Sequence, residues 1–424
     1  MTTISADTTR DTSQDSGKAK VLIALFVLYL VVGFAERAFV GSTHWLDPDG
    51  WIETAQTLCS HGEYGVQPGS PSLRRSPAYP TALAAGCMFK DGRPDLIVPI
   101  INALCHVGLL FLLFQHPIVR TLSAPKLAVL VIGLDPMILN YAGRTYVEPM
   151  LIFSVGAILV AFSRYVENAS RTNAALLAGA WAFSLLVKPI MMYLPVLLAP
   201  LALWGGRPKA PLAHIALFVL VPLIITGPWL YRNYQISGAP TLQTGGPTQI
   251  IKGETFARLT LEGVFTGQEE QALRELSELT KTLQIQNLRN IETGTEMESA
   301  LSEYLKQDII ENPGKHVTKV VTQAFSFWFL GGSAIQTAAY TVLAVPVLIL
   351  ALYAVFFTLG LRNIHVWAIV LTVGYFVAVH AVILALARYS VPVRPWVVLL
   401  AICAVLSLMR KYLPKTHAYL ERFG

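Results

Sequence analysis

Twenty residues from Val21 to Val40 carry little polarity, which is the length a helix needs to cross a bilayer. The pattern recurs near residues 95–115, 123–141, 146–166, 172–187, 189–204, 211–230, 336–359, 364–386 and 392–409. Only 14% of the 424 residues are charged, against roughly a quarter in a soluble domain. An ordinary soluble enzyme, a disordered chain and a fibrous repeat are excluded. The expectation is an all-α polytopic membrane protein with about ten transmembrane helices. The net charge of +6 does not point to nucleic acid, because in a membrane protein Lys and Arg gather on cytoplasmic loops.

Loop charges test the count. With the N-terminus inside, the inner loops hold Arg120 and Lys126, Arg164 and Arg171, Arg207 and Lys209, Arg362, then Arg410, Lys411 and Lys415. Every inner loop is basic, as the positive-inside rule requires. Residues 1–20 are expected to be a disordered cytoplasmic tail, 21–410 a transmembrane domain and 411–424 a second cytoplasmic tail. The short pair of spans around Lys188-Pro189 leaves a choice between two crossings and one kinked re-entrant element.

Two large segments then face outward, 41–93 and 231–335. In the second, Glu269 to Gln286 and Met297 to Ile310 show helical periodicity. Asn312-Pro313-Gly314 is a break, and Val317 to Leu330 suits an interfacial helix. Cys105 and Cys403 fall in apolar runs and suit packing. Cys59 and Cys87 could face an oxidising compartment, although two cysteines make no disulfide framework.

Some charges break the pattern. Arg75, Arg144, Lys188, Arg232, Arg388 and Arg394 lie at the outer ends of spans, each beside Pro or an aromatic residue. Asp47, Asp49, Glu53 and Glu148 join them on the same face. Ionisable groups at membrane depth are costly and usually mark function; the alternative is snorkelling with ion pairing. Arg binds phosphate through planar paired donors. A nearby carboxylate can take the proton of an attacking hydroxyl. Together they suggest group transfer from a lipid phosphate, with cations stabilising the departing group.

The same residues form a recognisable series. Asp47-Pro-Asp49-Gly-Trp51-Ile-Glu-Thr-Ala55 follows the first apolar run, then Tyr64-Gly65 and Arg75-Ser-Pro77-Ala-Tyr79-Pro80. Downstream come Tyr146-Val-Glu148-Pro149, Lys188-Pro189 and Pro228-Trp229-Leu-Tyr-Arg232-Asn233-Tyr234. His380 and Arg388-Tyr389-Ser-Val-Pro392 close it. In order and spacing the series resembles GT-C glycosyltransferases, in the branch of protein O-mannosyltransferases, lipid A aminoarabinose transferases and RgtA/B/C/D-type bacterial sugar transferases. Trp51 stands where Tyr is common, Lys188 replaces an Arg, and the Gly-rich stretch after Gly245-Gly246 departs from the usual ending.

The resemblance implies a GT-C fold and inverting transfer of a sugar from a polyprenyl-phosphate carrier. The acceptor is a glycan, lipid or protein hydroxyl outside a bacterial inner membrane. It makes Asp47 the catalytic base, with Asp49 its rival; both could simply cap a turn. Glu148 is either a second site carboxylate or a helix N-terminal charge, and both can hold. Arg75 and Arg388 lead as donor-phosphate ligands, ahead of Lys188 and Arg232. Trp51, Tyr79, Trp229, Tyr389 and His380 would line sugar or lipid. No cofactor is required; a divalent cation on the carboxylates is not favoured, because the Arg and Lys residues already supply positive charge. No nucleic acid is expected. The rival function is a transporter or flippase of polyprenyl-linked sugars, and the third is a scaffold.

Overall fold

The computed structural model describes residues 7–40, 47, 49–89, 93–283, 295–360 and 362–421. The chain opens with α1 (Asp7–Val40), α2 (Trp51–His61), a two-stranded antiparallel hairpin β1 (Gly65–Gln67) and β2 (Ser70–Pro71), and α3 (Ala78–Leu83). Then come α4 (Pro94–Gln115) and three short helices, α5 (Pro117–Arg120), α6 (Pro125–Gly133) and α7 (Pro136–Leu139). Next are α8 (Glu148–Glu167), α9 (Arg171–Val187), α10 (Leu194–Gly206) and α11 (Pro211–Ser237). Four helices that do not qualify as spans by length and hydropathy follow: α12 (Gly246–Leu261), α13 (Gln268–Thr282), α14 (Thr295–Glu311) and α15 (Pro313–Phe329). The chain closes with α16 (Ala334–Tyr353), α17 (Ile364–Val382), α18 (Arg394–Tyr412) and α19 (Pro414–Glu421).

Among the described residues, eight helices are long and apolar enough to cross a membrane. The protein is therefore an all-α, multi-pass membrane protein in its architecture. Most helices begin with Pro in the first turn, where its fixed φ fits and its missing N–H costs nothing. α2 and α11 end on Gly62 and Gly238 at φ 68° and 72°, a left-handed cap that suits glycine.

Three expectations need correction. First, α1 begins at Asp7, inside the polar segment expected to be a disordered tail. Second, the expected span at 123–141 is not one helix but the broken series α6 and α7. Pro125 and Pro136 each restart the chain, and Asp135 caps α7 by accepting from Met137 N at 2.9 Å. The segment still runs the length of α1. Gly17 packs on Lys126, Tyr29 Oη donates to Gly133 O at 2.7 Å, and Gly33 packs on Ala142. From Gly17 to Arg37 is about 30 Å of helix. Third, α9 has only 17 residues, short of a full span. It nevertheless runs antiparallel along α8, since Lys188 after its end meets Glu148 at the start of α8. α10 returns, so that Gly206 packs on Tyr165 and Ala169. The Lys188-Pro189 element thus joins two helices that run down and back along α8.

The two ends of the bundle differ. At one end Arg120 pairs with Glu167, Arg164 bonds Gln115, Gly205 packs on Ile364, and Ser123 meets His417 at 3.2 Å. Here lie the basic loops. At the other end Arg144 Nε pairs with Glu36 at 2.7 Å and Arg37 donates to Gly143 O at 2.8 Å. These bonds lock the turn before α8 onto α1. Here the first outer loop and the residues around Arg388 gather.

Candidate functional site

The first part of the site is the N-terminus of α2. Asp47 Oδ1 accepts from Trp51 N at 2.9 Å and Oδ2 from Ile52 N at 2.7 Å, meeting donors that a helix start leaves open. Capping is therefore part of its role. Burial still pushes its carboxyl up to about 6, against the pull of those two amides and with Glu53 and Asp49 adding to the rise. Gly50 stands between at φ 66°. A Cβ there would lie 2.9 Å from Glu53 Oε2 and 3.3 Å from Arg75 Nη2, so glycine is needed for both conformation and space. The Arg75 guanidinium sits 5.4 Å from the centre of the Trp51 ring.

The second part is a cluster of opposite charges. Glu148 starts α8, Lys188 sits between α9 and α10, and Arg388 lies in the short 3-10 turn Ala387–Ser390. Lys188 Nζ is 4.0 Å from Glu148 Oε1 and 4.9 Å from the centre of the Tyr389 ring. Arg388 lies over Tyr389 at 4.8 Å and Tyr146 at 5.4 Å, and donates to Tyr389 Oη at 2.9 Å. Asp49 Oδ2 comes within 3.9 Å of Arg388 Nη1, which joins the cluster to the α2 start. Two atoms here are left over. Glu148 Oε2 and Arg388 Nε are buried and have no hydrogen-bond partner among the described residues. Buried polar atoms are nearly always bonded in folded proteins, so two orphans in one cluster ask for a ligand or water.

The structure thus brings together Asp49, Glu148, Lys188, Arg388 and Tyr389, and sets Asp47, Trp51 and Arg75 beside them. Glu148 stands in the first turn of its helix, as one of its two readings has it. His380 sits one layer below, stacked on Tyr389 at 4.6 Å with Nδ1 near Phe376 O at 2.9 Å. It supports Tyr389 from the core side. Tyr79 is fully buried, edge-on to Trp51 at 5.7 Å, so it packs behind the site and does not line it.

Three other expected members do different work. Arg232 donates to Ser72 O and Tyr64 O, both at 2.7 Å, between the rings of Tyr64 and Trp229. Trp229 Nε1 donates to Leu242 O at 2.9 Å. The pair clamps the hairpin onto the end of α11, and Arg232 Nη1 also donates to Asn233 Oδ1 at 2.9 Å. Arg394 is not a snorkelling residue: it is buried and pairs with Asp135 at 2.8 Å.

Sequence reasoning leaves three participants without roles. Tyr146 stands two residues before Glu148 and is visible as part of that motif. Glu36 and Asp135 are visible as acids inside apolar runs. Cys59 and Cys87 form a disulfide with Cα atoms 5.9 Å apart, tying α2 to the turn after α3. One trio among the described residues, Glu254, Asp308 and His316, has ligand-type atoms within 4.8 Å of one another. Lys315 Nζ already bridges its carboxylates at 2.8 and 2.7 Å, so an ammonium fills the place of a cation.

No protein-family model and no curated protein sequence matches this chain.

Proposed function

We propose that this chain is an inverting membrane glycosyltransferase of GT-C type, moving a sugar from a polyprenyl-phosphate carrier to an acceptor hydroxyl on the outer face of a bacterial inner membrane. The observation that carries the reading is the Glu148–Lys188–Arg388–Asp49 cluster, with two buried polar atoms left unbonded, beside a carboxyl whose pKa is raised. In this reading the acceptor oxygen attacks the anomeric carbon while its proton passes to Asp47. The bond from that carbon to the phosphate oxygen breaks, and its electron pair leaves with the lipid phosphate. Arg388 and Lys188 stabilise that developing charge. Glu148 Oε2 accepts from a sugar hydroxyl, and Asp49 holds Arg388 in place. A base with a pKa near the working pH is better matched to proton transfer than an ordinary carboxylate.

Two features support the outward placement. The basic loops lie at the opposite end of the bundle, and the Cys59–Cys87 disulfide lies at the site end, as an oxidising compartment would allow.

The test is transfer in nanodiscs from a panel of radiolabelled polyprenyl-phosphate sugars to extracted membrane acceptors. Asp47→Asn is expected to lower turnover by at least two orders of magnitude, typical of removing a general base, with donor binding retained. For the wild type, kcat/KM should rise with pH up to about 6 and level off above it, because the base must be ionised. No transfer from any donor, with label crossing the bilayer of sealed vesicles instead, would replace the enzyme by the flippase.

A further inference from the structure

Away from the charge cluster, α12, α13, α14 and α15 line an open cavity of about 720 Å³, within the size range of small-molecule sites. None of the residues assigned to transfer lines it. Its wall carries three carboxylates, Glu254, Glu262 and Glu275, and three cations, Arg258, Lys315 and Lys319. They compensate one another. Arg258 pairs with Glu275 at 2.6 Å and Glu262 at 3.3 Å, and Lys315 with Glu254 at 2.8 Å. Lys319 Nζ donates instead to Ile250 O and Val382 O, both at 2.8 Å. Glu254 Oε1 is buried and accepts no hydrogen bond among the described residues; His316 Nδ1 lies 3.4 Å from it. Ile251, Leu279 and Tyr304 supply apolar wall between these groups.

The chemistry of that wall selects its ligand. The six charges sum to zero, and five of them are held in ion pairs that a charged ligand would have to break, while Lys319 is held by two backbone carbonyls. They do present many oriented donors and acceptors, which suit a molecule with many hydroxyls. The apolar residues suit the carbon-bound hydrogens of a sugar ring. The cavity walls are helices, which offer a peptide no strand edge to extend.

We propose that this cavity is a binding subsite for a neutral oligosaccharide. In its role it rests on the transferase reading, as the place where a glycan acceptor is held by sugars remote from the reacting hydroxyl; the binding itself stands without it. The cavity is joined to the charge cluster through α15. Lys319 and Gln323 hold α12 on one side, through Ile250 O and Gly253 O. On the other they hold the chain after α17, through Val382 O and Ala385 N. Leu330 O then accepts from Ala387 N at 2.9 Å, next to Arg388.

The experiment is direct binding to the full chain in nanodiscs, by calorimetry and saturation-transfer NMR. The probes are linear neutral mannosides, glucosides and arabinans of two to six sugars, oligogalacturonates as anionic controls, and unglycosylated peptides. Thr318 is exposed at the cavity wall, and a Cβ on Gly314 meets open space. Thr318→Trp and Gly314→Trp therefore fill the cavity without touching an ion pair. The expected result is saturable binding of a neutral oligosaccharide, weakened at least tenfold by either variant. No saturable binding, a preference for the anionic series or for peptides, or affinity unchanged in both variants would overturn the proposal. Retained binding in a protein that transfers no sugar would count against the transferase reading alone. Transfer with no oligosaccharide binding would count against the subsite alone.

Discussion

Arg388 is held mainly by two aromatic faces and by a carboxylate at the edge of ion-pair distance. A planar guanidinium can keep those stacking contacts while its edge turns to a phosphate; an ammonium cannot do both. Arg388→Lys is thus expected to raise KM for a polyprenyl-phosphate donor at least tenfold, with the fold intact by thermal melt. The buried pair Arg394–Asp135 behaves differently, because its partners already satisfy each other. Asp135→Ala would strip the cap from α7 and leave a guanidinium unpaired in the core, a loss of about 3–5 kcal/mol. The double variant Asp135→Ala with Arg394→Met should recover much of that loss in a denaturation midpoint, since no buried charge is then stranded. Their separation along the chain explains why Arg394 could not be assigned from sequence: its cation is visible, but the partner lies 259 residues earlier. The same holds for Arg232, whose motif is clear and whose acceptors, Ser72 and Tyr64, lie on a distant hairpin.

At the level of elements, hydropathy locates most of the spans and misses two interruptions. Pro125 and Asp135-Pro136 are helix-start signals in plain view, yet the apolar run around them outweighs them. The polarity of residues 7–20 does not interrupt the helix, and α1 simply continues into that segment. The helices α12 to α15 are partly legible through periodicity and the break at Asn312-Pro313. The cavity they line is not, because it depends on how four helices meet. In the first outer loop, the disulfide joins Cys59 and Cys87 across a sequence separation of 28. Loop-closure entropy makes such a cross-link worth about 3–4 kcal/mol. Cys59→Ser should therefore leave the bundle folded while the segment around α2 becomes sensitive to protease, and transfer should fall because Asp47 caps that same helix.

For the whole molecule, the transferase reading depends on one asymmetry, the separation of basic loops from the charge cluster by the length of the bundle. The cluster pairs carboxylates and cations closely, whereas the opposite end carries Arg120, Arg164, Arg171, Arg207, Lys209 and Arg410 with few acids beside them. Charge of that kind fixes orientation during insertion, and the short loops here fall within the range where the rule applies. Gln67, exposed at the end of β1 in the hairpin, and Lys209, exposed between α10 and α11, then mark opposite faces. In a background with Cys105 and Cys403 replaced by Ala, Gln67→Cys should react with a membrane-impermeant maleimide added outside intact cells. Lys209→Cys should react only after permeabilisation. The reverse pattern would put Asp47 and Arg388 in the cytoplasm, where nucleotide sugars are the available donors. A polyprenyl-phosphate donor used from the outer face would then have to be abandoned.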